Sequence, residues 1–177
     1  MPAAVDSQVR IREMAVDDLD AASALSRAVR WPHRLEDLAV MLQVGQGVVA
    51  EDETGLVGTA MGWRYGEETA TLGMVIVRSD RRRQGIGRRL TEEIMGRLGD
   101  GAIFLNATQD GLSLYKSLGF KAVGMIHQHQ GAAFTAPMPR LRKDERVRPM
   151  SASDAEAVAR LDKAATGKER ATVLKAL

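Results

Sequence analysis

Residues 69–98 read TATLGMVIVRSDRRRQGIGRRLTEEIMGRL, and the architecture of the chain can be argued outward from them. The stretch opens with a nearly continuous apolar run up to Val77, which is typical of a central β-strand covered on both faces. Beyond a loop rich in arginine and glycine, apolar residues at every fourth position predict the buried face of a helix; they are Ile86, Leu90, Ile94 and Leu98. The loop therefore joins a strand to a helix.

The residues before this stretch predict a strand, two helices and a β-hairpin. Residues 9–12 alternate between apolar and polar, and Asp17 or Asp18 then offers an N-cap to the first helix. Residues 48–50 and 56–65 flank a turn and form the hairpin. The apolar positions of the two helices are Leu19, Ala22, Leu25 and Val29, then Leu35, Leu38 and Leu42.

The residues after this stretch predict a second buried strand at residues 102–107, a short helix and a closing hairpin. The helix carries Tyr115 and ends at Gly119. The hairpin pairs residues 121–129 with residues 132–138. The order β-α-α-β-β-β-α-β-α-β-β predicts a mixed α/β (α+β) domain with a largely antiparallel sheet and one central parallel crossover.

The composition excludes several classes of protein. The chain has 177 residues, of which 45% are hydrophobic and 27% are charged, as expected for one globular domain with a short remainder. No apolar run approaches the ~20 residues that a bilayer span needs, and residues 1–10 lack a secretory signal. We therefore expect a cytoplasmic protein without a membrane partner. The absence of cysteine excludes disulfides, a thiolate zinc site and a cysteine nucleophile.

The positive charge of the chain is concentrated in one segment. A net charge of +2 does not indicate a nucleic-acid-binding protein. A basic cluster interrupted only by Asp80 is typical either of a phosphate-binding site or of a solvated helix start. A nucleic-acid contact through the same cluster would weaken steeply with salt. The cluster consists of Arg78, Arg81, Arg82, Arg83, Arg88 and Arg89.

The glycines within the basic cluster favour the phosphate-binding interpretation. A loop that opens a helix leaves N–H groups unpaired at the positive end of the helix dipole. Gly85 and Gly87 allow a diphosphate to approach without clashes from Cβ atoms. The patterns of P-loop NTPases and of dinucleotide-binding folds are both missing from the loop.

Two motifs resemble those of a known family. Residues 69–98, with Arg82-x-x-Gly85-x-Gly87, resemble motif A of the GNAT N-acetyltransferases, and residues 114–120 resemble the downstream motif B of that family. The resemblance spans residues 8–138 and implies a GNAT domain over residues 1–141, with a splayed pair of central strands. It also implies an acyl-CoA-dependent N-acetyltransferase, in EC class 2.3.1, that uses acetyl-CoA (coenzyme A) as co-substrate and no metal.

The resemblance also assigns the residues of the site. Val75, Ile76 and Val77 would pair with the pantetheine arm, and Gly73 marks either a bulge that opens the strand or ordinary close packing. Tyr115 is the candidate general acid, with a core tyrosine as the alternative. The complete set of cofactor-binding residues is Val75, Ile76, Val77, Arg82, Arg83, Gln84, Gly85, Ile86, Gly87, Arg88 and Thr108.

The reaction implied is direct attack of an amine on a thioester, and it requires a base that the sequence does not identify. An N–H group near Val75 would polarise the thioester carbonyl. The two splayed strands carry no carboxylate, so the base is either Glu67 or Glu68, which also suit a hairpin turn, or a chain of water molecules. The catalytically degenerate alternative is a regulatory module that binds acyl-CoA without turnover.

Other polar and aromatic residues carry weaker signals. His127 and His129 are too few for a closed metal site, and Ser113 lacks the Gly-x-Ser-x-Gly elbow of a hydrolase. The acceptor is a small molecule or a protein with a primary amine. The residues suggested for an amine pocket, each of which also suits a core or surface role, are Trp31, Asp37, Trp63, Tyr65 and Glu67.

The end of the chain repeats its beginning. Residues 148–154 echo residues 12–18, and Ala157 and Leu161 match Ala21 and Leu25. We interpret residues 142–177 as the incomplete start of a second GNAT-like repeat, or as a tail that docks on its own first domain or on a second copy in a homodimer. Chance similarity between alanine-rich helices is the remaining alternative.

Overall fold

The computed structural model describes residues 9–129, 131 and 140–176. The helices and strands are β1 (Arg10–Glu13), α1 (Leu19–Ala28), α2 (Leu35–Gln43), β2 (Gln46–Asp52), β3 (Gly55–Tyr65), β4 (Thr69–Val77), α3 (Ile86–Leu98), β5 (Ala102–Phe104), α4 (Leu112–Ser117), α5 (Ala155–Thr166) and α6 (Ala171–Ala176).

These strands form one twisted sheet in the order β1-β2-β3-β4-β5. The first three pairings are antiparallel, and β4 and β5 are parallel. Helices α1 and α2 cover one face of the sheet, and α3 covers the other. The predicted fold class, a mixed and mostly antiparallel sheet flanked by helices, is confirmed.

Helix α3 packs closely because β3 presents glycines to it. Leu90 and Ile94 are fully buried, as the four-residue spacing predicts. A Cβ atom on Gly58 would lie 2.9 Å from Leu90 Cδ1, and one on Gly62 would lie 2.8 Å from Leu98 Cδ1. Burying each of these leucines contributes about 1.5–3 kcal/mol. The two glycines therefore set how closely the glycine loop at the start of α3 approaches the sheet.

A bulge reverses the two faces of β4. The pairs Thr59↔Ile76 and Met61↔Gly73 leave one extra residue in β4. Before the bulge Leu72 packs against α3, whereas after it Ile76 packs against α1 and α2. The bulge predicted at Gly73 falls at the next residue, Met74, which adopts a φ of 52°. The hydroxyl of Thr59 donates a 2.7 Å hydrogen bond to the Met74 carbonyl, which satisfies the carbonyl that the bulge displaces.

The predicted closing hairpin is wrong in its first strand. Residues 121–129 have no regular structure, and Val123, Met125 and Ile126 are 88%, 80% and 71% exposed. A strand is stabilised by pairing and burial, and here β5 ends at Phe104 rather than at residue 107, so it offers only a short edge. The second predicted strand, residues 132–138, lies outside the described residues.

The beginning and end of the chain share one local geometry. Arg12 donates to both carboxylate oxygens of Asp18 at 2.7 and 2.8 Å, and Arg148 donates to those of Asp154 at 2.7 and 2.6 Å. Each carboxylate also accepts a backbone N–H three residues earlier at 2.8 Å, so Asp18 turns back to the preceding turn instead of capping α1. The same arrangement therefore precedes α1 and α5: an arginine binds the aspartate six residues later, and that aspartate accepts a backbone N–H. It is called the clasp below.

Candidate functional site

The parallel pair of strands separates after three residue pairs. Pairing of β4 with β5 stops at Thr71↔Phe104, so the rest of β4 lies without a β5 partner. The Arg78 amide donates to the Val57 carbonyl at 2.8 Å. Because groups in an antiparallel ladder alternate, the backbone groups of Val75 and Val77 face away from β3, toward the open edge, where the Val77 carbonyl accepts a 3.3 Å hydrogen bond from Arg82 Nε. An extended amide chain can pair there as an added strand does.

The glycine loop prepares an anion-binding concavity at the start of α3. Arg83 and Gly85 have left-handed φ values of 62° and 82°, of the kind that turns successive N–H groups toward one point. Gly85 occupies the N-cap position of α3, and no side chain caps the helix there. The first N–H groups of this 13-residue helix are therefore available to an anion at the positive end of its dipole.

The basic cluster divides into arginines that are engaged by other residues and one that is not. Arg78 bonds Asp80 at 2.7 Å, and Arg81 bonds Asp52 at 2.8 Å. The pKa of Asp52 is lowered to about 2, mainly by a hydrogen bond from the Thr54 hydroxyl and next by one from Arg81. This ion pair therefore persists at neutral pH.

Three other arginines of the cluster are also engaged. Arg82 lies 3.6 Å from Asp110, Arg88 donates to the Ser117 hydroxyl at 2.5 Å, and Arg89 donates to the Val9 carbonyl at 3.0 Å. Arg83 has no ion pair or hydrogen bond with any residue that the structure describes. The positive charge most available to a ligand is therefore that of Arg83.

A cleft of about 730 Å³ joins the loop, the open edge of β4 and α4. It contains most of the predicted cofactor residues, and it adds Ser79, Asn106, Asp110 and Gly111, which the sequence motifs did not indicate. Three predicted residues do not line it: Gly85 is the helix cap, Gln84 donates to the Asp80 carbonyl at 3.4 Å, and Arg88 faces Ser117. The predicted residues that line the cleft are Val75, Ile76, Val77, Arg82, Arg83, Ile86, Gly87, Thr108 and Tyr115.

Tyr115 lies at the wall of this cleft with little exposure to water. Its side chain packs edge-on against Phe120, with ring centroids 5.9 Å apart, and the residue is 9% exposed. Burial raises the pKa of the Tyr115 phenol above 10, so the hydroxyl is protonated at neutral pH. A Cβ atom at Gly111 would lie 2.9 Å from the Tyr115 ring, which explains the glycine one turn before it.

Carboxylates are scarce around the cleft. Among the described residues, Asp110 is the one acid in its lining, and its side chain is 86% exposed and paired with Arg82. Glu67 and Glu68 lie at the opposite end of β4, and a rise of about 3.3 Å per residue places them roughly 23–26 Å from Val75 along the strand. Neither glutamate can remove a proton in this cleft.

A second cavity of about 600 Å³ lies on the α2 side of the sheet. Of the five residues suggested for an amine pocket, three line this cavity: Asp37, Trp63 and Tyr65. Trp31 lines the first cleft instead, and Glu67 lines neither. The rings of Trp31 and His33 meet edge-on, with centroids 6.1 Å apart, and His33 lines the second cavity. The two cavities therefore adjoin across this ring pair.

The part of the chain that the structure describes has no cluster of three or more histidine, aspartate or glutamate side chains placed to hold a metal ion. None of its helices is both long and apolar enough to cross a bilayer.

Comparisons with known proteins agree with this architecture. Residues 43–122 match the model of the acetyltransferase (GNAT) domain family. The chain is 26% identical over 175 residues to the uncharacterized N-acetyltransferase YitH of Bacillus subtilis, covering 98% of this chain and 60% of that protein.

Solved structures show the same fold. A putative acetyltransferase from Pyrococcus horikoshii has a TM-score of 0.75 and 21% identity, covering 99% of this chain and 63% of that one. The ribosomal-protein-S18-alanine N-acetyltransferase of Escherichia coli has a TM-score of 0.60 and 23% identity over 66% of this chain and 79% of its own. The chain thus spans less than two thirds of YitH and of the Pyrococcus protein. In its motifs, its fold and these comparisons, the chain is similar to the GNAT superfamily of N-acetyltransferases.

Proposed function

We propose that this chain transfers an acetyl group from acetyl-CoA to a primary amine by direct attack. The observation that supports this most strongly is the convergence, in one cleft, of the glycine loop, the open edge of β4 and Tyr115. The cleft volume of about 730 Å³ is of the size that binds cofactors.

The cofactor has a proposed place along each wall. The pyrophosphate binds the N–H groups at the start of α3, where Gly87 leaves the approach open. Arg83 adds charge-assisted hydrogen bonds to the pyrophosphate or the 3′-phosphate. The pantetheine amides pair with the outward backbone groups of Val75 and with the outward N–H of Val77, which brings the thioester toward Tyr115.

The proposed chemistry needs no covalent enzyme intermediate. The amine nitrogen attacks the thioester carbon, and the Val75 N–H stabilises the oxygen on which negative charge develops. As the tetrahedral intermediate collapses, the carbon–sulfur bond breaks and the thiolate takes the proton of the Tyr115 hydroxyl. Tyr115 is a suitable donor because its burial keeps the phenol protonated. The excess proton of the amine leaves to water, and water returns a proton to the Tyr115 phenolate, since no carboxylate other than the exposed Asp110 lines the cleft within the described chain.

The amine is proposed to enter from the second cavity. That cavity meets the cofactor cleft at Trp31 and His33, on the α1 and α2 side of the splayed strands. The amine would therefore reach the thioester carbon from the second cavity, while the pantetheine arm lies along the open edge of β4 in the first cleft.

Two measurements test the proposal. Acetyl-CoA at 100 times its Kd should raise the free energy of unfolding by about 2.7 kcal/mol. Release of free thiol across a panel of primary amines should then depend on Tyr115, so that Tyr115→Phe lowers kcat while the Kd of acetyl-CoA is unchanged. Undiminished turnover in that variant would remove Tyr115 from the role of acid. Binding of acetyl-CoA with no turnover on any amine would favour the regulatory module instead.

A further inference from the structure

The C-terminal helices contact the first domain at the second cavity. Val173 and Ala176 of α6 line that cavity opposite Trp63. Immediately before α6, the Lys168 ammonium group lies 5.6 Å from the ring centroid of Tyr65 and 4.9 Å from that of Phe104. Both distances are within the range of a cation–π interaction. The segment around α6 is therefore seated on the domain by apolar and by cation–π contacts.

These contacts coincide with the place where the central strands separate. Phe104 is the last residue of β5 that pairs with β4, and its partner is Thr71. The Thr71 hydroxyl donates to the Tyr65 hydroxyl at 3.1 Å, and both residues line the cavity. Lys168 thus lies over the rings of Tyr65 and Phe104, next to the cavity. This is the side from which an amine would reach the thioester.

The segment is held in place by its own ion pairs. Arg170 Nε donates to Asp162 Oδ2 at 3.1 Å, and Lys163 Nζ lies 2.5 Å from Glu169 Oε1. These pairs tie the start of α6 to α5 across a turn at Gly167, which has a φ of 67°. The orientation of α6 relative to α5 is therefore held by these two ion pairs, and the start of α5 is closed by the Arg148–Asp154 clasp.

We propose that this C-terminal unit, residues 148–176, which repeats the Arg–Asp clasp and the first helix of the chain, forms a wall of the acceptor cavity and sets which amines can enter it. The role of the cavity as acceptor site rests on the proposed function, whereas the seating of α6 does not. The repeat would then reuse the opening unit of one GNAT domain as a specificity element for the other, with the exposed Leu161 face of α5 free for the remainder of a second repeat.

The lining of the cavity defines a class of amine. Val40 and Met41 of α2 and Val44, which follows it, line the cavity with the rings of β3, and α6 adds two further apolar side chains. At the rim, Asp37 is neutralised by Arg34 at 2.7 Å, while Glu36 has no ion pair with any residue described. An apolar body with a single ammonium group fits this lining, and a phosphorylated or polyanionic acceptor does not.

The test uses the full chain with Trp31→Phe, so that Trp63 is the one fluorophore of its kind. Val173→Asp places a carboxylate in the wall, and Thr172→Asp places the same charge on the exposed side of the same helix. Phenethylamine serves as the probe amine, and its Kd is read from Trp63 fluorescence. We expect Val173→Asp to shift Trp63 emission to longer wavelength and to weaken phenethylamine binding at least tenfold, with the Kd of acetyl-CoA unchanged. Thr172→Asp should change none of these values.

Each outcome bears on a different part of the proposal. Trp63 emission that is identical in both variants would show that α6 is not seated on the cavity. A shifted emission with unchanged phenethylamine affinity would show that the wall does not set selectivity. Lys168→Ala, which removes the cation–π contacts with Tyr65 and Phe104 and adds no charge to the cavity, should weaken phenethylamine binding in the same direction, and equal affinity there would also contradict the proposal. Failure of the wild-type chain to bind acetyl-CoA would overturn the proposed function and leave the seating of α6 to be decided by the fluorescence.

Discussion

Adding one methyl group at Gly87 separates the needs of the fold from those of the cofactor. A Cβ atom there would lie 3.6 Å from Val77 Cγ2 and 3.7 Å from Leu114 Cδ2, which are ordinary van der Waals contacts. The protein therefore has room for alanine at this position. Since Gly87 lines the cofactor cleft, the methyl group would instead occupy space that the proposed pyrophosphate needs.

The expected effects on stability and on binding have opposite signs. Alanine in place of a helical glycine stabilises by up to about 1 kcal/mol, and the first turn of α3 should show less than this. Displacing the pyrophosphate costs at least one charge-assisted hydrogen bond, or about 1.5–3 kcal/mol. That loss weakens binding at least tenfold, since about 1.4 kcal/mol corresponds to a factor of ten. At a concentration where the wild type gains about 2.7 kcal/mol from acetyl-CoA, Gly87→Ala should gain about half as much or less.

Gly96→Ala is the matched control because Gly96 lies in the same helix. It is exposed, and a Cβ atom there would have no neighbour within 4 Å. This variant should be stabilised by about 0.5–1 kcal/mol and should keep the full gain from acetyl-CoA. Thermal unfolding of both variants with and without acetyl-CoA measures these gains. Equal gains in the two variants would refute the placement of the pyrophosphate at the loop.

Three further substitutions test other parts of the account. Arg83→Ala should weaken acetyl-CoA binding about tenfold by calorimetry, whereas Arg78→Ala, whose partner is an acid, should not; equal losses would remove the distinction between engaged and available arginines. Thr59→Val should lower the free energy of unfolding in urea by about 1–3 kcal/mol, because the carbonyl of the bulge loses its donor; no loss would mean that the hydroxyl does not hold the bulge. A hydrogen bond from arginine lowers the pKa of Asp18 below 3.8, so its ion pair stabilises the fold above that pH and is lost as the pH falls through the lowered value. Asp18→Asn should therefore destabilise at pH 7 and converge with the wild type in acid, while Asp154→Asn, at the repeated clasp, should leave the main unfolding transition unchanged; a constant difference at all pH values would contradict the ion-pair explanation.

Most of the fold follows from local patterns in the sequence. The spacing of apolar residues in α3 and the turn between β2 and β3 depend on neighbours a few residues away, and the structure confirms both. The clasp between Arg148 and Asp154 was visible as a repeat because its partners are six residues apart. Local signals of this kind need no knowledge of the tertiary structure.

The features that the sequence did not predict depend on distant partners. The bulge lies at Met74 rather than at Gly73, and the donor that satisfies it, Thr59, comes from another strand. Residues 121–129 are predicted as a strand of the closing hairpin, but the local sequence carries no information on whether an edge is available for pairing. Arg83 differs from the neighbouring arginines because their partners lie elsewhere in the chain. Asp52, which binds Arg81, is 29 residues away in the sequence. The motifs identified the residues of the site. The tertiary structure was needed to distinguish the residues that line the cleft from those that support it.

The most direct test of the central proposal is calorimetric titration of the chain with acetyl-CoA, in parallel with the same titration of Gly87→Ala. We expect one binding site per chain that saturates below millimolar acetyl-CoA, and an affinity at least tenfold lower in the variant. Absence of binding to the wild-type chain at millimolar acetyl-CoA would contradict the proposal that this cleft holds an acyl-CoA for transfer.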